Sequence, residues 1–100
     1  MGIFNQSTKH PIDEARDKYI EIINDTFDKF CRLFVSPSEM EGYLMGEISQ
    51  FNDYFQSRGI RYNRVHVYSN KYHIKKRFNV LIKVKVSDSE PYYPIVDIDV

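Results

Sequence analysis

Residues 62–86 read YNRVHVYSNKYHIKKRFNVLIKVKV. Apolar or aromatic side chains alternate at Val65 and Val67, again at Tyr72 and Ile74, and then at Phe78, Val80, Ile82, Val84 and Val86, and many are β-branched. A period of two with this composition predicts β-strands. The run is too long for one strand of ordinary length, and Ser69-Asn70 suits a two-residue turn, so it divides into strands over 62–68 and 71–86. That turn sets Tyr68 opposite Lys71, His66 opposite His73, Arg64 opposite Lys75 and Tyr62 opposite Arg77. A third strand is expected over 93–100. Aligning Lys83 with Asp99 and Lys85 with Asp97 matches charge to charge, and brings Val84 to Ile98 and Val86 to Val96. The expected sheet is a three-stranded antiparallel meander.

The alternation then separates two faces. One carries Val65, Val67, Tyr72, Ile74, Phe78, Val80, Ile82, Val84, Val86, Val96 and Ile98, with Lys76 as the exception, and must be covered. The other carries Tyr62, Arg64, His66, Tyr68, Lys71, His73, Lys75 and Arg77 at one end. At its other end the expected register pairs Lys83 and Lys85 with Asp99 and Asp97, which neutralises that end.

The cover comes from upstream. Pro11 suits the first position of a helix, and Asp13 and Glu14 suit its first turn, where carboxylates favour the dipole. Ile12, Ala15, Tyr19, Ile22, Ile23, Phe27, Phe30, Leu33 and Phe34 recur at three-and-four spacing, predicting an amphipathic helix over 12–34. Ser36-Pro37-Ser38-Glu39 reads as a capping box that starts a second helix. The second helix buries Met40, Tyr43, Leu44, Ile48, Phe51, Tyr54 and Phe55, and ends at Arg58-Gly59-Ile60 with Gly59 in the left-handed cap. Its far side is a narrow strip of Gly42, Gly46, Ser49 and Asp53, a possible second contact face, because each interior glycine costs about 1 kcal/mol relative to alanine. The expected fold is therefore α+β in the order α-α-β-β-β, a helical hairpin on one face of the meander. Residues 1–10 are read as an N-terminal arm and 11–100 as one domain.

Composition sets the outer limits. The chain has 100 residues, 42% hydrophobic and 28% charged, with formal net charge +0, values usual for a folded domain. Tryptophan is absent and Ala15 is the only alanine, usage that suits an AT-rich genome such as that of a phage or a low-GC bacterium. A single cysteine, Cys31, cannot form an internal disulfide and fits a reducing compartment. As a nucleophile it would need a neighbouring base, and none is nearby in sequence, so it reads as structural. No apolar run approaches the roughly 20 residues that span a bilayer. The expectation is a cytoplasmic protein, in host cytoplasm if viral, with no membrane contact.

Neutrality overall conceals an asymmetry. Residues 54–87 hold Arg58, Arg61, Arg64, Lys71, Lys75, Lys76, Arg77, Lys83 and Lys85, nine of the fourteen basic residues, and no acid. Residues 11–53 hold ten acids against four bases. Opposed patches of this kind steer partners and can drive self-association, so a homo-oligomer is one expectation. The leading expectation is a non-enzymatic binding protein: an inhibitor, an adaptor or a virion accessory component that meets a protein partner through the basic and aromatic hairpin face. The alternative is single-stranded nucleic acid on the same face, since cations follow phosphates while Tyr and His stack on bases.

Catalysis is the weakest expectation. His66 and His73 supply two of the three or four ligands a stable metal site needs, so no metal or other cofactor is expected. At the level of architecture alone, a helical hairpin followed by a meander is similar to the small toxin ribonucleases of bacterial toxin–antitoxin pairs. That likeness would give Arg64, His66, His73 and Arg77 proton-transfer and phosphate-binding roles. No diagnostic motif accompanies it, and Asp97 and Asp99 place acids where a nuclease would need bases.

Overall fold

The structure is a computed structural model that describes residues 10–30, 36–69 and 78–100. The N-terminal arm up to residue 9, the last turn expected for the first helix with Cys31, and residues 70–77 lie outside the described residues. The element order is α1 (Pro11–Phe30), α2 (Pro37–Ser49), α3 (Asn52–Gln56), β1 (Tyr62–Ser69), β2 (Phe78–Lys85) and β3 (Tyr93–Asp99). The strands form one antiparallel sheet in the order β1-β2-β3. Helices cover one face of it, α2 over β1 and α1 towards β3, so the α+β architecture read from the sequence is the one observed.

Local chemistry explains most boundaries. His10 accepts the Ile12 N–H on Nδ1 at 3.1 Å, capping α1 just ahead of its acidic first turn. Ser36 Oγ accepts the Glu39 N–H while the Glu39 carboxylate accepts the Ser36 N–H, which completes the capping box at α2. Gly59 sits at φ 76°, and the Ile60 N–H reaches back to the Phe55 carbonyl at 3.0 Å. That six-to-one bond with a left-handed glycine closes the helical segment and sends buried Ile60 into the core.

The second helix is broken in two, although the apolar spacing alone suggested one continuous helix. Ser49 Oγ donates to the Gly46 carbonyl at 2.8 Å, and the Gln50 and Phe51 N–H groups bond three residues back, to Glu47 and Ile48. A hydroxyl competing for a helix carbonyl and a tightened last turn end α2 there. The chain re-enters a helix as α3, whose Phe55 ring stacks on Tyr19 of α1 at 4.1 Å between centroids.

The core lies between the helices and the sheet. Ala15, Tyr19 and Ile23 of α1, Met40, Leu44 and Ile48 of α2, and Val80, Ile82 and Val84 of β2 are all but inaccessible to solvent. Thr26, buried among them, donates its hydroxyl to the Ile22 carbonyl at 2.7 Å and so leaves no unpaired polar group. Phe27 meets Phe78 edge-on, and Phe30 stacks on Tyr43.

Both expected registers are displaced. Arg64 pairs with Lys83, His66 with Leu81 and Tyr68 with Asn79, where the two-residue turn had set them opposite residues 71–75. Asn79 rather than Lys83 lies opposite Asp99, and Leu81 rather than Lys85 opposite Asp97. Ser69 is a strand residue paired with Phe78, so the turn does not fall at Ser69-Asn70; residues 70–77 between the two strands lie outside the described residues. β2 begins at Phe78, and the expected earlier half of that strand falls within 70–77. A shift in the ladder between Ile82 and Lys83 adds one residue of β3, Ile95, on the far side of the bulge.

Candidate functional site

The register decides what the uncovered face of the sheet presents. In β2 the even residues, Phe78 to Val84, turn to the core, and the odd residues Asn79, Leu81, Lys83 and Lys85 turn away from it. Across the strands this gives three rows of partners: Arg64, Lys83 and Pro94; His66, Leu81 and Asp97; Tyr68, Asn79 and Asp99. Charge is graded along the strands. Cations occupy the first row, Leu81 stands between His66 and Asp97 in the second, and Asp99 closes the third.

Arg64 and Lys83 are directly opposed like charges, an arrangement that costs about 0.2–1 kcal/mol in a sheet. Tyr92, in the connection from β2 to β3, offsets part of it. The Arg64 guanidinium lies 4.9 Å from the Tyr92 ring centroid and Lys85 Nζ lies 4.8 Å from it, contacts worth about 0.5–1 kcal/mol each at exposed sites. Among the described residues neither Arg64 nor Lys83 has a carboxylate at ion-pair distance. At the opposite end Asn79 Nδ2 donates to Asp99 Oδ1, so that carboxylate is held within its own row.

The edge of β1 adds a second element. Glu41 of α2 accepts the Val67 N–H at 3.0 Å, and the same oxygen lies 3.7 Å from His66 Nδ1. His66 in turn stacks on Tyr68, with ring centroids 5.2 Å apart. One helical turn beyond Glu41, Met45 is 41% exposed. Between it and Val65 runs a groove of ≈ 510 Å³ that reaches Arg64, Leu81 and Lys83.

Of the residues singled out in the sequence, β1 carries Tyr62, Arg64, His66 and Tyr68, the last three exposed on the uncovered face; the Tyr62 side chain is not among those described. Lys71, His73, Lys75 and Arg77 lie outside the described residues. Arg58 belongs elsewhere: its Nε donates to Glu14 at 2.8 Å and its guanidinium lies over Tyr54. Along the small-residue strip, Gly42 and Gly46 are exposed and an added Cβ would meet nothing within 4 Å. Ser49 ends α2 while Asp53 belongs to α3, so the break between the two helices divides the strip.

The residues the sequence reading missed are Lys83, Lys85, Tyr92 and Glu41. The two lysines were assigned to ion pairs that the true register does not form. Tyr92 sits in a connection, where no periodicity identifies it. Glu41 reaches the sheet only because α2 crosses the β1 edge. Compared with protein-family models, curated proteins and solved structures, the chain matches none.

Proposed function

We propose that this protein acts by contact, presenting the uncovered sheet face to a protein partner that carries an acidic segment. One arrangement supports the reading. Arg64 and Lys85 flank Tyr92 at one end of the face and Lys83 lies opposite Arg64, with Arg64 and Lys83 uncompensated by any described carboxylate, beside the apolar Leu81. Clustered cations with low-lying apolar and aromatic surface suit an acidic peptide, and the uncompensated charge raises the encounter rate.

The gradient of charge also separates a protein from a nucleic acid. A chain of phosphates following the strands would leave the cations and meet Asp97 and Asp99 within two residue rows. A protein segment can carry its acids at one end only. The exposed Tyr68 stacked on His66 is the feature that favours single-stranded nucleic acid instead.

Titration of labelled acidic peptides and of single-stranded oligonucleotides at low salt tests the choice. The expected result is peptide binding that the double variant Arg64→Glu, Lys83→Glu loses while remaining folded. Tighter oligonucleotide binding that depends on Tyr68 would transfer the proposal to nucleic acid, and binding of neither would reject the site.

A further inference from the structure

We infer that the partner segment adds to the sheet as a fourth strand, pairing with the edge of β1 at Asn63 and Val65. This rests on the reading of the face just given and specifies how its ligand is held. The backbone directions follow from bonds already described. Phe78 and Val100 exchange both of their main-chain bonds, at 3.1 and 2.9 Å, so the even residues of β2 bond towards β3 and the odd ones towards β1. Their β1 partners are Arg64, His66 and Tyr68. The alternate residues Asn63, Val65 and Val67 therefore turn their N–H and C=O groups out of the sheet. Val67 demonstrates this directly, since its N–H goes to Glu41 and not to a strand.

The two edges of the sheet differ in how they treat that opportunity. β3 carries Pro94, Asp97 and Asp99 along its edge, and proline and charge are the means by which edges refuse another strand. β1 has one outward N–H closed by Glu41, and then the groove beside Val65. An extended segment lying in that groove gains main-chain bonds from Asn63 and Val65. Its alternate side chains fall on opposite sides, one set towards Arg64, His66 and Lys83 and the other towards Met45 and Val65. The occupant is accordingly a stretch that alternates acidic and apolar residues. Glu41 sets the end of the added strand, because its carboxylate occupies the next donor and repels a further acid.

Amide hydrogen exchange on the intact protein tests this, with a short peptide alternating Glu and Val as the probe. The amides of Asn63 and Val65 should slow about tenfold or more when the peptide is saturating. The Val67 amide, already bonded to Glu41, should change little. Val65→Pro removes an outward donor while Val65→Ala keeps it, so the first should weaken peptide binding about tenfold relative to the second. If exchange at residues 63 and 65 is unchanged while Arg64→Glu with Lys83→Glu still abolishes binding, strand addition is wrong and the face remains the site. Binding indifferent to all of these substitutions overturns both.

Discussion

The two faces of this sheet come from the same strands, often from consecutive residues, yet they are built for different ends. Ile82 is fully buried against the helices, and its neighbours Leu81 and Lys83 look away from them. On the covered side apolar groups dominate, from Val65 and Val67 through Val80 and Val84 to Val96, with Asn63 bonded to Tyr19 among them. On the uncovered side Arg64 is set against Lys83, a pairing that no gain in stability explains. Alternation along a strand thus lets folding and recognition occupy the same eight residues of β2 without sharing a side chain. The two functions should be separable by substitutions one residue apart.

The largest expected contrast is between Ile82→Ala and Leu81→Ala. Removing buried methyl groups at Ile82 leaves a cavity in a packed layer and should cost about 2–5 kcal/mol. Leu81, half-exposed, should cost under about 1 kcal/mol. Denaturant unfolding with an unchanged slope measures both, and equal losses would show that something covers the second face.

Next in size is a pH effect confined to the covered side. Burial pushes the Tyr19 hydroxyl up to about 12, although Asn63 Nδ2 donates to its oxygen at 3.3 Å and opposes the shift. The folded state then holds this proton more tightly than the unfolded chain. Its contribution is complete below pH 10 and declines as pH rises from about 10 to about 12, by about 2–3 kcal/mol in total. Tyr19→Phe should flatten that decline. Unfolding midpoints across that range decide it.

The same period of two explains which parts of the molecule were legible. Val80 and Ile82 were assigned to the core side, and they are there, although Arg64 lies opposite residue 83 and not 75, and Asp99 opposite residue 79 and not 83. Slips of eight and of four are both even, so the described side chains named for each face keep that face while changing partners. The expected β1–β2 register rested on a two-residue turn at Ser69-Asn70, and the β2–β3 register on matching Lys83 to Asp99 and Lys85 to Asp97, exposed pairs worth well under the burial of one valine, and such terms cannot discriminate between alignments. The capping box at Ser36 and the glycine cap at Gly59 were legible because each rests on a local hydrogen-bond requirement. The cationic cluster at Tyr92 was not, because it forms only once the strands are in their true register. Glu41 closing the β1 edge depends on where a whole helix crosses the sheet, and no local pattern encodes that.

The smallest expected change in stability has the opposite sign, and it bears most directly on what the uncovered face is for. Lys83→Glu would place a carboxylate opposite Arg64, replacing a repulsive cross-strand pair with an attractive one. Asp97, diagonal to position 83, is too distant across the strands to cancel that gain, since diagonal neighbours stand roughly 7–8 Å apart. The variant should therefore be more stable than the parent by about 0.2–1 kcal/mol at low ionic strength, with the difference shrinking as salt screens the pair. Binding of the acidic peptide should fall at the same time. A residue whose reversal strengthens the fold and weakens the contact is kept for the contact. If Lys83→Glu instead destabilises the protein, the opposed cations are part of its architecture, and the distinction drawn between the two faces fails at the row where it is sharpest.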